Sequence, residues 1–198
     1  GGAVKTLVVL SGKGGAGKTS VAAGLVPLLN DLVMADADVD AANMALALGA
    51  EPRDGEAFSD REVARIAPEA CTACGACVEA CRFGAIDPPG ASGDPYRVDA
   101  IACEGCGACA LVCPVSGIEL VPALTGSWAV SDTSYGPLVH AELDAGGQNS
   151  GGLVRKVRQE AERIAAARAL PTILVDAPAG TGCPVISALT GADAALLV

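Results

Sequence analysis

Eight of the nine cysteines lie between Cys71 and Cys113, in two runs of one spacing: Cys71-x2-Cys74-x2-Cys77-x3-Cys81, then Cys103-x2-Cys106-x2-Cys109-x3-Cys113-Pro114. Three thiolates at this spacing can wrap three irons of one cubane, while the fourth points away to a second cluster. The expected ligand sets are therefore crossed. Cys71, Cys74, Cys77 and Cys113 hold one 4Fe–4S cluster; Cys81, Cys103, Cys106 and Cys109 hold the other. Zinc is the competing chemistry, but structural zinc sites usually draw on two separated cysteine pairs, not four cysteines in a short run given twice. A disulfide framework suits small secreted domains that lack a core. This chain is 51% hydrophobic, so a reducing compartment and metal ligation are the better expectation. One position breaks the pattern: Arg82 stands where the second run has Pro114.

The second chemical feature is Ser11-Gly12-Lys13-Gly14-Gly15-Ala16-Gly17-Lys18-Thr19, which fits G-x-x-x-x-G-K-[ST] between a predicted strand and a predicted helix. Glycines let successive backbone N–H groups point into one concavity that holds phosphate oxygens, and the helix start adds its positive dipole end. The expected ATP-binding residues are Gly12, Lys13, Gly14, Gly15, Ala16, Gly17, Lys18, Thr19 and Ser20. Lys18 is expected to reach the β- and γ-phosphates and Thr19 to ligate Mg²⁺. Two of the four lysines, Lys13 and Lys18, lie in this loop. The competing reading is a glycine turn without a ligand.

Carboxylates supply the rest of that site. Asp36, Asp38 and Asp40 follow a second apolar run, and Asp176 opens Asp176-Ala177-Pro178-Ala179-Gly180 after a third. Acids at strand ends beside a phosphate loop are placed to hold Mg²⁺ and to orient an attacking water. The expected Mg²⁺ set is Thr19, Asp38 and Asp176. A helix cap or turn former is the competing role for each acid, most of all for Asp36 and Asp40. Cys183 reads as a small loop residue or a thiol used in metal transfer; His140 and Trp128 read as structural.

These residues need elements to position them. Apolar runs predict strands near 4–10, 32–35, 128–133, 137–142, 172–176 and 194–198, and helical spacing marks Lys18–Leu29, Ala41–Leu48 and about 152–170, with Ser150 as a cap. From Glu51 to about Pro122, Cys, Pro and Gly replace helical periodicity. Within that stretch residues 70–86 and 102–118, offset by 32, are identical at eight of 17 positions. Such a repeat means two copies of one unit. The expected fold is a three-layer α/β domain with a mostly parallel sheet, residues 1–58 and 123–198, interrupted by a ferredoxin-like insert over 59–122. Ala194–Val198 is apolar with no turn or cap after it, so the sheet and the base pocket are expected to be incomplete at that end.

At Lys13-Gly14-Gly15-Ala16-Gly17-Lys18-Thr19, Asp38 and Asp176–Gly180, the chain resembles the MinD/ParA/Mrp superfamily of P-loop ATPases. The cysteine runs, with Asn149-Ser150-Gly151-Gly152-Leu153-Val154 and Gly182-Cys183-Pro184-Val185, resemble the branch that carries an inserted two-cluster domain. The resemblance implies ATP hydrolysis, a cytoplasmic location and an ATP-dependent homodimer. It implies two catalytic residues: Lys13 reaching the partner subunit's phosphates, and Asp38 positioning the hydrolytic water. The cofactors it implies are Mg²⁺ and two 4Fe–4S clusters, with electron transfer to a client metalloprotein or, alternatively, metal-cofactor assembly as the task. A net charge of −10 argues against nucleic acid, favours a basic client surface, and no apolar run is long enough for a membrane span.

Overall fold

The computed structural model describes residues 4–51, 55–89, 96–144 and 150–198. Along the chain run β1 (Lys5–Ser11), α1 (Lys18–Leu25), β2 (Leu32–Asp36), α2 (Met44–Ala47), β3 (Glu56–Phe58), β4 (Arg61–Ile66), α3 (Ala76–Ala80), β5 (Ile86–Asp87), β6 (Arg97–Val98), α4 (Ala108–Val112) and β7 (Ile118–Ala123). They are followed by β8 (Gly126–Thr133), β9 (Gly136–Leu143), α5 (Ser150–Arg168), β10 (Thr172–Ala179), α6 (Cys183–Leu189) and β11 (Ala194–Leu197). Two compact units result: Gly1–Phe58 with Gly126–Val198, and Ser59–Thr125.

The first unit is built on a seven-stranded sheet in the order β11-β1-β10-β2-β9-β8-β3. The strands from β11 to β9 are parallel, and β8 and β3 add on antiparallel. Strand alternation divides each apolar run between two faces. Val8, Val33, Ala35, Ile173 and Val175 meet Leu153, Val157, Ala161 and Ile164 of α5 on one face. Val9, Leu32, Met34 and Leu174 meet Ala22 and Val26 on the other. Three layers follow from continuous apolar strands that must be covered twice. The insert leaves after Phe58 and returns at Gly126, and these two residues are paired partners in the β3–β8 ladder. The chain can therefore be interrupted here without opening the sheet. At the far edge, β11 pairs with β1, and all four of its residues are exposed.

Three local expectations change. Helix α1 stops at Leu25 and passes into a 3-10 turn, Val26–Leu28; Pro27 has no N–H to continue the α-helical ladder. The helix expected over Ala41–Leu48 shrinks to Met44–Ala47, because the backbone N–H groups of Asn43 and Met44 donate to the Asp36 carboxylate instead. Helix α5 begins at Ser150, two residues before the start expected for it.

In the second unit, β4 and β7 form an antiparallel pair where no strand was expected. Their partners are more than fifty residues apart in sequence, and local composition cannot signal such pairing. The 32-residue repeat extends into this framework. The β5–β6 pairs Ile86↔Val98 and Asp87↔Arg97 correspond to Ile118↔Ile66 and Glu119↔Arg65 in β4–β7. The hydrogen bond from Asp99 N to Ala85 O (2.9 Å) corresponds to that from Ala67 N to Gly117 O (2.8 Å). The unit is a pseudo-twofold of two copies, each supplying its strands to both halves.

No described helix is long and apolar enough to cross a membrane. Gly136 closes the β8–β9 hairpin with φ +137°, and a Cβ there would lie 2.7 Å from Leu32 O. Gly136→Ala is expected to cost about 2 kcal/mol or more. Gly24→Ala, in open space on α1, is expected to gain roughly 0.5–1 kcal/mol. Urea unfolding followed by fluorescence of Trp128, the chain's one tryptophan, measures both.

Candidate phosphate and iron–sulfur sites

The loop from Gly12 to Gly17 joins the end of β1 to the start of α1. Gly15 and Gly17 take φ +74° and +96°, conformations closed to most side chains, and nothing lies within 4 Å of a Cβ built at Gly12, Gly14, Gly15 or Gly17. The concave side of the loop is open. Ser11 Oγ donates to Lys13 O at 2.7 Å, and Gly180 N donates to Ser11 O at 3.0 Å, which ties the loop to the end of β10.

Charged groups converge beneath it. Lys18 is buried, and its Nζ lies 3.2 Å from Asp38 Oδ2. Thr19 Oγ1 donates to Asp176 Oδ2 at 2.5 Å. Asp176 Oδ1 is buried with no hydrogen-bond partner among the described residues. An orphaned carboxylate oxygen beside a threonine hydroxyl is a donor set suited to a hard divalent cation such as Mg²⁺. Burial raises the Asp176 carboxyl, against the Thr19 hydrogen bond and the Lys18 charge. Of the remaining expected residues, Lys13 and Ser20 are exposed, as is Asp40.

Asp36 carries more of the site than its sequence position suggested. It is fully buried and accepts N–H groups from Asp38 (3.2 Å), Asn43 (3.0 Å) and Met44 (2.9 Å). These bonds fold residues 38–44 back over the strand end and so aim Asp38 at Lys18. Desolvation is the largest influence on Asp36; with the charge of Asp176 it pushes the carboxyl up to about 7. The signal in the sequence was an acid at the last position of a fully apolar strand, where a turn former would sit one residue later.

The cysteines gather in the second unit. Cys71, Cys74, Cys77 and Cys113 line one cavity, with Ile66, Tyr96 and Ile118. Cys81, Cys103, Cys106 and Cys109 line another, with Ala64, Ile86 and Leu120. Each cavity draws three thiols from one run and the fourth from the other. The short helices α3 and α4 carry the third thiol of each run, Cys77 or Cys109, and end at the fourth, Cys81 or Cys113; each starts after a glycine of positive φ, Gly75 or Gly107. Backbone N–H groups point at sulfur in both halves, Ala85 N to Cys81 (3.4 Å) and Gly117 N to Cys113 (3.3 Å). Among the described residues no three His, Cys, Asp or Glu side chains converge as tightly as one metal ion requires. A ring of sulfurs around an apolar hollow fits a multi-atom cluster whose irons each take one thiolate. Sequence reasoning missed Arg61, whose guanidinium donates to Cys103 O (3.2 Å) and Ala100 O (2.7 Å).

Comparison with known proteins finds matches to the insert and to the chain as a whole. The 4Fe–4S dicluster domain family matches residues 70–117. An uncharacterized protein of Methanocaldococcus jannaschii is 32% identical over 200 residues, covering 100% of this chain and 68% of the relative. The septum site-determining protein MinD complexed with Mg-ADP, from Pyrococcus horikoshii OT3, aligns at a TM-score of 0.44 and 17% identity, over 98% of this chain and 57% of that one. The chain thus spans little more than half the length of that solved structure. Strand order, phosphate loop and cysteine cavities define a phosphate-loop α/β protein carrying a 4Fe–4S dicluster domain. The chain belongs to the family of the M. jannaschii protein.

Asp36 leads to a pH dependence with a definite sign. Folded Asp36 keeps its proton to about pH 7, whereas an unfolded aspartate loses it near 3.8. Between those values the native state binds the extra proton, so stability falls as pH rises through the window. In metal- and nucleotide-free protein the loss is expected to be on the order of a few kcal/mol. Asp36→Asn should flatten that slope between pH 4.5 and 7.5, as read by urea unfolding at each pH; an unchanged slope would count against the buried-acid assignment.

Proposed function

We propose that the chain is an ATP-binding and hydrolysing iron–sulfur protein, a nucleotide-controlled homodimer that passes electrons to a client metalloprotein. The observation that supports it most is the buried Lys18–Asp38 pair, set beside the Thr19–Asp176 bond under an open glycine loop. An ammonium held ready by one carboxylate costs little to reorganise when phosphate oxygens arrive. Those oxygens compete with Asp38 for Lys18. Nucleotide binding therefore frees Asp38 to accept a proton-bearing water, so occupancy and the placement of the attacking water are one event. Thr19, Asp38 and Asp176 are the residues that would hold Mg²⁺, which supplies neutralisation of charge on the β- and γ-oxygens. Lys13, exposed at the loop, is free to reach a second subunit's phosphates.

In this reading the division into residues 1–58, 59–122 and 123–198 separates the nucleotide machine from an electron-carrying insert. The two cysteine sets hold one 4Fe–4S cluster each, which supply one-electron chemistry when bound. The protein works in the cytoplasm, where thiols stay reduced. A second reading, cofactor assembly, is favoured by one observation: Cys183 is an exposed thiol at the start of α6, available to hand a metal on. Transfer of iron to an acceptor apoprotein that is lost in Cys183→Ser would favour assembly over electron transfer.

Lysine and cysteine variants test the primary reading. Lys18→Ala should abolish ATP binding in calorimetry. Lys13→Ala should bind ATP yet lose analogue-driven dimerisation in sedimentation and slow hydrolysis by on the order of 10³-fold; an undiminished dimer rules out action in trans. Cys113→Ala should damage the cluster of Cys71, Cys74 and Cys77, and Cys81→Ala the other, as seen by EPR of the reduced variants. Damage confined to the mutated run's own cluster refutes the crossed sets.

A further inference from the structure

The pseudo-twofold of the second unit is nearly complete, so its breaks are informative. Backbone bonds come in pairs related by the 32-residue offset: Cys71 N to Ala67 O (3.1 Å) matches Cys103 N to Asp99 O (3.0 Å), and Ala85 N to Cys81 Sγ matches Gly117 N to Cys113 Sγ. One buried bond has no counterpart. Ala64 N donates to Cys103 Sγ at 3.4 Å. The offset maps this bond onto Tyr96 N and Cys71 Sγ, and among the described residues no such bond forms. Arg61 sits three residues before Ala64, and its guanidinium grips the carbonyls of Cys103 and Ala100. The offset places Gly93, which has no side chain to offer, at the equivalent position.

A cluster gains negative charge on reduction. N–H groups aimed at its sulfurs and cations near its ligands favour that state and raise the potential. Other charges near the ligands are weaker candidates. Glu104 and Arg82 are exposed, so water and salt screen them. Arg61 is only partly exposed, with its Nε buried. We propose that Arg61 is a positioning residue that makes the two clusters unequal. By fastening the Cys103 segment to β4 it holds the Ala64 N–H on sulfur, and its charge adds to that bond. It raises the potential of the cluster held by Cys81, Cys103, Cys106 and Cys109 relative to its twin, so a single electron entering the unit settles there.

This inference rests on the two-cluster reading above, and one experiment separates their failures. The full chain is loaded anaerobically with ferrous iron and sulfide, its iron is counted, and EPR signals are followed as dithionite sets the potential. Cys106→Ser and Cys74→Ser, each altering one signal, assign the signals to the two sites. Eight irons per chain are expected. Fewer would overturn the two-cluster reading and this inference with it. In Arg61→Gln the reduced-to-oxidised ratio at the wild-type midpoint should fall about tenfold, 59 mV for one electron, in the Cys106-linked signal alone. Arg61→Lys, which keeps the charge, should show a smaller fall in the same signal; it decides the matter if the glutamine variant fails to take up both clusters. Equal shifts in both signals, or none, would overturn the role of Arg61 even with eight irons present.

Discussion

Three carboxylates meeting at the ends of two adjacent parallel strands are the constraint on which the nucleotide unit turns. Burial raises the Asp36 and Asp176 carboxyls, and the neighbouring carboxylate charges add to that cost. The fold offsets it by three different means. Asp36 takes three backbone N–H groups, Asp38 takes the buried ammonium of Lys18, and Asp176 takes the Thr19 hydroxyl. One oxygen of Asp176 is left without a partner. Buried acids kept in such a state are commoner at working sites than in inert cores. The short α2, the fold-back of residues 38–44 and the burial of Lys18 all follow from satisfying these groups.

The second unit obeys a different rule. Its own apolar core is small and includes cysteines, with Cys77, Cys103 and Cys109 counted among its buried residues. The hollows between the helices are lined by thiols, so the unit is organised around what those thiols hold. Duplication accounts for the economy of the design: each copy contributes three thiols to one cavity and one to the other. Glycines accept the tight approaches this requires. At Gly105, with φ +63°, any Cβ would overlap the Glu62 carbonyl oxygen on β4.

The two units share one chain through a join that leaves the sheet intact. Phe58 and Gly126 are register partners at the antiparallel edge, far in strand order from the phosphate loop on β1. Insertions persist where the backbone ends they leave are already adjacent. The parallel strands that carry Ser11, Asp36 and Asp176 are untouched by it.

Much of this was legible in the residues alone. The phosphate loop, the buried strands and the doubled cysteine run are local patterns, because glycine conformations, strand alternation and thiolate spacing act over a few residues. Strands β1, β2, β8, β9 and β11 lie within a residue or two of their apolar runs, and β10 runs three residues past its own. What tertiary structure alone decided depends on groups distant in sequence. The β4–β7 ladder, the capture of Asn43 and Met44 by Asp36, and the grip of Arg61 on the Cys103 segment each join residues whose proximity no local pattern encodes. Asp36 and Asp40 look alike in the sequence, as turn-forming acids beside a strand end. One became a buried anchor and the other stayed in solvent, because only Asp36 ends inside a strand flanked on both sides, where an unmet carboxylate must find donors or keep its proton.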